Sequence, residues 1–279
     1  MEFFKKSTLT HIRETIFYCL IPTLSLESLR CLAWVLINLL NNVQVKHWNW
    51  WQIIPIIPSD YTIIPSGSLD LIYGLSEASV VIFSLLIYYF FGKKIFLFYL
   101  FNTALIWIFV YSFYIVVPCF DYLKNLPQWN GKPDDSLLNY VNFCAFPSSH
   151  CLIAYSLAFP MLASFFIEKK INLSRSIICI IAVTFAILTQ ISTVLTRQHY
   201  IMDGFASLGV GLIFTVVNYF IYQKHYIKNE KLLPSQIIVD RFYVYAQKNK
   251  RRELMIIIVF AVIFVSLNYL FFPVLYHFV

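Results

Sequence analysis

Apolar runs of about twenty residues recur along the chain, each closed by a short polar or basic stretch. Seven are predicted to be membrane helices: 15–40, 71–91, 95–117, 147–167, 176–195, 198–222 and 254–272. Their apolar residues are continuous rather than alternating, which favours helices over the strands of a barrel. The first run holds Glu27 and Arg30, three apart and so placed to pair on a helix. No small-residue cleavage site follows it, so it reads as an uncleaved signal anchor. Residues 41–70 combine His47-Trp48-Asn49-Trp50-Trp51 with Pro55, Pro58 and Pro65 and read as an interfacial loop. A polar loop spans 118–146. Residues 223–253 are basic, and Ile238, Phe242 and Tyr245 recur at helical spacing after Pro234-Ser235, predicting an amphipathic surface helix. The expected fold class is an all-α polytopic bundle, with six spans in 1–222, a basic loop in 223–253 and a seventh span in 254–279. No internal repeat or low-complexity tract interrupts this plan.

Composition agrees with a membrane protein. Hydrophobic residues make up 59% of the 279 and charged ones only 13%, with mean hydropathy +0.71, against about 25% charged in soluble domains. The net charge of +7 would fit nucleic acid were it spread out, but it follows the loops. With the N-terminus in the cytoplasm, 16 of the 21 basic residues fall on cytoplasmic segments: Lys5, Lys6, Arg13; Lys93, Lys94; Lys169, Lys170, Arg175; and eight in 223–253. That is the positive-inside pattern, reinforced by attraction to anionic lipid heads, and it needs no nucleic acid partner. The loop 118–146, His150 and His199 then share the periplasmic or extracytoplasmic side. The six cysteines show no CxxC spacing, which argues against zinc or thioredoxin-type chemistry. Cys119 and Cys144, in one external loop, are candidates for a disulfide.

Two polar stretches stand out at that side. Pro147-Ser148-Ser149-His150 opens a run with a proline suited to a first helical turn. A helix start offers free N–H groups and a positive dipole end, to which the two serines add hydroxyls. Ser192 to Asp203 concentrates Arg197, His199 and Asp203 in a chain poor in charge, where charge near a span is costly. If helical throughout, 192, 196, 199 and 203 share one face. Asp203, four residues after His199, is placed to take its Nδ1–H and leave Nε2 as a nucleophile. Either stretch alone also reads as ordinary structure, a Ser/Pro helix cap or an Arg–Asp pair anchoring a helix end. His11, His47, His225 and His277 read as non-catalytic.

Together the two stretches resemble the type 2 phosphatidic acid phosphatase superfamily, whose motifs are Pro-Ser-Gly-His, with a variable third position, and Ser-Arg-x5-His-x3-Asp. Here these stand as Pro147-Ser148-Ser149-His150 and Ser192-Thr193-x5-His199-x3-Asp203, one helical hairpin apart. The resemblance covers about 95–222 and implies a six-span core with 223–279 as an extension. It implies a metal-independent hydrolase of phosphate monoesters or diphosphates, with no cofactor. His199 would become phosphohistidine, Asp203 would orient it, and His150 would manage the proton. Ser148 and Ser149, with Arg197, Lys124 and Lys132, would hold the phosphate. Two positions depart from the family: Thr193 stands where it has arginine, and its first motif, Lys-x6-Arg-Pro, has only Lys124-x7-Lys132-Pro133 as its nearest equivalent. Lysine lacks the bidentate fork of arginine.

The implied partners are a phosphorylated lipid substrate and the surrounding lipids, and the leading expectation is a lipid-phosphate phosphatase. Its alternative is a lipid phosphotransferase, resembling sphingolipid head-group synthases, in which an alcohol replaces water. From other classes come a bis-histidine haem protein and a transporter, the latter disfavoured because the charges cluster at one face and not at the bilayer midplane.

Overall fold

Helix follows helix because each apolar run must satisfy its own backbone polar groups. The structure is a computed structural model, describing residues 8–41, 67–116, 146–168, 172–195, 199, 201–227, 234–247, 255, 256, 258, 259 and 262. Among these the chain is all helical in its regular structure. Helix α1 (Thr8–Thr15) continues through a π-helical turn, Ile16–Leu20, into α2 (Ile21–Asn41). Helix α3 (Gly67–Leu86) ends in a π turn, Ile87–Phe91, before α4 (Gly92–Val116). Then come α5 (Ser149–Glu168), α6 (Leu173–Leu195), α7 (Ile201–Ile221) with a π turn at Tyr222–Ile227, and α8 (Pro234–Gln247).

Among the described residues four stretches are long and apolar enough to cross a membrane: Ser79–Val116, Ser149–Glu168, Leu173–Leu195 and Ile201–Lys224. The first is not a single rod. Gly92 sits at φ 84°, outside helical space and open to glycine, and the chain reverses there. Ser84 donates to the Tyr99 hydroxyl at 3.3 Å and the Tyr88 ring meets Phe96 at 5.7 Å, pairs nearly symmetric about Gly92. The expected break between the second and third spans therefore falls where Gly92-Lys93-Lys94 placed it. Glu27 and Arg30 also pair as expected, at 2.7 Å, with the guanidinium over the Trp107 ring. Of the loop expected at 41–70, Asn41 and residues 67–70 are helical and 42–66 lie outside the described residues, as do 117–145 with Cys119 and Cys144 and nearly all of the span expected at 254–272.

Helix α5 is the centre of the bundle, packed on α3, α4, α6 and α7. Helix α7 shows how it is gripped. Its inward stripe is small and polar: Asp203, Gly204, Ser207, Gly211, Thr215 and Asn218, all buried. Its outward face is Phe205, Leu212, Ile213, Val216, Val217 and Phe220. This inverted pattern suits lipid, where apolar side chains gain nothing by leaving the solvent and small residues let helices approach. The approach is close: a Cβ on Gly211 would meet Phe159 and the Tyr155 Cβ at 3.2 Å. Deeper in, Asn218 donates to Asn102 Oδ1 at 2.7 Å and Asn102 donates to Thr215 at 3.0 Å, tying α7 to α4.

The basic positions gather at one end. Arg175 donates to the Phe90 carbonyl at 2.7 Å and pairs with Glu168, while Lys93 pairs with Asp240 of α8 at 2.8 Å. Helix α8 docks there through Phe242 and Tyr243 on Phe17 and Tyr18. It forms where the amphipathic helix was expected, but with a different inward face. Val239 is buried, whereas Ile238 and Tyr245 are exposed, because the stripe 239/242/243 is the one that finds the aromatic pair on the first helix. His150 and His199 lie at the opposite end of the bundle, at the start of α5 and just before α7.

Gly211→Leu should force α5 and α7 apart. It should destabilise the protein by about 1–3 kcal/mol, the usual cost of overpacking, read as a lowered unfolding midpoint in detergent.

Candidate active site

At the site end the chain leaves helical geometry twice, and the groups freed there cross-link the elements. Ser148 caps α5: its Oγ accepts the Cys151 N–H at 3.4 Å, three residues on. Its carbonyl accepts the Leu152 N–H at 3.0 Å as the helix begins. With the Cys151 amide taken by the cap, the Pro147 carbonyl is outside the ladder and accepts the Tyr114 hydroxyl of α4 at 2.5 Å. The Ser148 N–H, ahead of the helix, donates to the Asp203 carbonyl at 3.2 Å, joining α5 to the first turn of α7.

The second stretch breaks where the spans expected at 176–195 and 198–222 meet, so 192, 196, 199 and 203 do not share one continuous helix. Helix α6 ends at Leu195 and α7 starts at Ile201. The His199 N–H reaches back to the Thr193 carbonyl at 3.1 Å, closing the connection. The four-residue relation of His199 and Asp203 survives because His199 sits just ahead of α7. Its Nδ1 lies 3.2 Å from Asp203 Oδ2, with side-chain exposures of 4% and 2%. That contact leaves Nε2 as the nitrogen directed away from the carboxylate.

The structure brings His150 and His199 together, their ring centroids 6.4 Å apart and tilted by 55°. The two rings are thus close neighbours at the site end of the bundle. Ser149, half-buried, has its Oγ 3.5 Å from His150 Nδ1. Ser149 and His150 are the first residues of α5, at the positive end of its dipole, the feature that favours anions at a helix start. Ser148 itself is fully buried in its capping role.

Beneath the rings lies a layer that sequence reasoning missed. Cys151 Sγ is 3.5 Å from Thr193 Oγ1, and Thr193 donates to the Gln190 carbonyl at 2.8 Å. Thr193 is fully buried, so the position where the family carries arginine is a packed wall here. Below it the Tyr155 hydroxyl bonds Gln190, whose side chain fills the space beside Gly204. Nothing in residue spacing signals these partners, which come from three different helices. Arg197, Lys124 and Lys132 lie outside the described residues. Among the described residues no three His, Cys, Asp or Glu side chains converge as a metal site.

Tyr114→Phe should leave the Pro147 carbonyl without its donor. The cost should be about 1–3 kcal/mol, measured as loss of stability of the folded protein against denaturant.

The comparisons with known proteins come down to one match: the model of the PAP2 superfamily covers residues 114–227. No curated protein and no solved structure matches the chain.

Proposed function

Residues 114–227 of this chain are a PAP2 superfamily domain, and from that premise we propose that the protein is a membrane lipid-phosphate phosphatase working through a phosphohistidine. The observation that carries the proposal is the pair of neighbouring imidazoles, their ring centroids 6.4 Å apart, one of them held through Nδ1 by a buried carboxylate. The Asp203 carboxylate takes the Nδ1–H, so the lone pair on His199 Nε2 is the one available to phosphorus. His199 attacks, the phosphorus–ester oxygen bond breaks, and a proton from His150 goes to the departing alcohol. Water then attacks the phosphorus, His150 takes its proton, the phosphorus–nitrogen bond breaks, and inorganic phosphate leaves with His199 restored.

The first turn of α5 supports charge stabilisation at the same place. The N–H groups of Ser149 and His150 and the Ser149 hydroxyl are donors fixed before reaction, which is the arrangement that counts most as charge shifts. Arg197, Lys124 and Lys132 are proposed to add positive charge around the phosphoryl oxygens. The four apolar stretches support a multi-pass membrane location, and the loop charges support a site on the side opposite the basic segments. Substrate is then a phosphate carried on an acyl or prenyl chain, entering sideways from lipid. Residues 1–222 are proposed as the catalytic unit, with 223–253 as a basic loop and 254–279 as an added span.

The test uses the purified full chain with phosphatidate, phosphatidylglycerophosphate, a prenyl diphosphate and a phosphorylated glycolipid, each with and without an alcohol acceptor. Products are identified by mass spectrometry. Release of inorganic phosphate without acceptor supports the phosphatase, whereas transfer to the alcohol alone would replace it with the phosphotransferase. His199→Ala should abolish both turnover and acid-labile labelling by a radioactive phosphoester. His150→Ala should slow turnover by roughly 10²–10⁴-fold, the usual worth of a positioned acid–base group. Vanadate, which adopts the trigonal bipyramid of pentacoordinate phosphorus, should inhibit; full activity at millimolar vanadate would count against the site.

A further inference from the structure

The mechanism makes no use of Ser207, yet its hydroxyl lies between the two elements that carry the histidines. Ser207 is fully buried on the inward stripe of α7, one turn after Asp203. Its Oγ is 2.8 Å from the Ser148 carbonyl and 2.8 Å from the Asp203 carbonyl. One hydroxyl proton is thus shared between the residue that caps α5 and the residue that holds His199. The same Asp203 carbonyl also accepts the Ser148 N–H.

We propose that Ser207 is a positioning residue: by bridging the Ser148 and Asp203 carbonyls it sets the spacing between His150 with the α5 amides and the His199–Asp203 pair. The proposal rests on the phosphatase reading. Bond accounting separates this role from plain stability. Without the Ser207 hydroxyl, the Ser148 carbonyl keeps the Leu152 N–H and the Asp203 carbonyl keeps the Ser148 N–H. Neither acceptor is orphaned, so the fold loses little. The start of α7 loses one of its two lateral ties to α5, leaving the Ser148 N–H alone to hold the ring separation. Geometry of that kind matters to the transition state more than to substrate capture.

The experiment compares wild type and Ser207→Ala as purified full chain in detergent, with dioctanoyl phosphatidate as the turnover probe. Orthovanadate and inorganic phosphate serve as binding probes, read by inhibition and by thermal stabilisation. Expected for Ser207→Ala is a kcat lower by roughly ten- to a hundredfold, with KM and phosphate affinity within about twofold of wild type. Vanadate affinity should fall by the same factor as kcat, since vanadate needs both sides of the site at their reacting distance. Should Ser207→Ala not accumulate as folded protein, Ser207→Cys, which keeps the volume and donates only weakly, is read the same way. A kcat and vanadate affinity within about twofold of wild type would overturn the positioning role while leaving the phosphatase reading intact. So would a loss shared equally by kcat, KM and phosphate affinity. A wild type that neither hydrolyses the probe nor binds vanadate would overturn both.

Discussion

In hydrocarbon a backbone N–H or C=O without a partner costs several kcal/mol, and that constraint shapes the site end of this molecule. Irregular backbone is needed there, because a helix start and a helix-to-helix connection must meet. Each departure is secured from another element: Tyr114 of α4 takes the Pro147 carbonyl, Asp203 of α7 takes the Ser148 amide, and Thr193 of α6 takes the His199 amide. The bonds that satisfy the backbone are the ones that bring the two imidazoles side by side at the site end. Closure of the bundle and assembly of the site are therefore one event.

Much of this was legible in residue order. Long apolar runs gave the helices, and Gly92-Lys93-Lys94 marked the reversal between α3 and α4. The interval of four between His199 and Asp203 carried their side-chain contact even though His199 lies just ahead of α7 and not within it. A short-range relation survives such a break because it depends on a single turn of chain. Relations between helices were not legible. That Tyr114 bonds Pro147, that Thr193 abuts Cys151, and that α8 turns Val239 inward and not Ile238 are outcomes of three-dimensional packing. In α8 the apolar residues are spread around the helix, so periodicity alone cannot choose among faces. The docking partner, Phe17 and Tyr18, makes that choice.

The interior of α7 complements this picture. A soluble helix buries its largest apolar residues, whereas this one buries glycine, serine, threonine and asparagine and turns phenylalanine, leucine and isoleucine outward. Small side chains bring the α5 and α7 backbones near enough for main-chain groups to bond across the interface, as Ser148 and Asp203 do. Nearer its basic end α7 is held to α4 by the Asn102–Thr215–Asn218 bonds. Its register is thus held by polar contacts at both ends.

The central place of α5 bears on biogenesis. Thirteen of its twenty residues are buried, against α3 and α4, made before it, and α6 and α7, made after. A nascent chain that has threaded only as far as α5 presents part of that surface to lipid or to the insertion machinery and possesses only one of the two imidazoles. The pairing of His150 with His199 thus arises late in synthesis, when α7 arrives and clasps the start of α5. A ribosome-released fragment ending before that point would be inert and open to quality control.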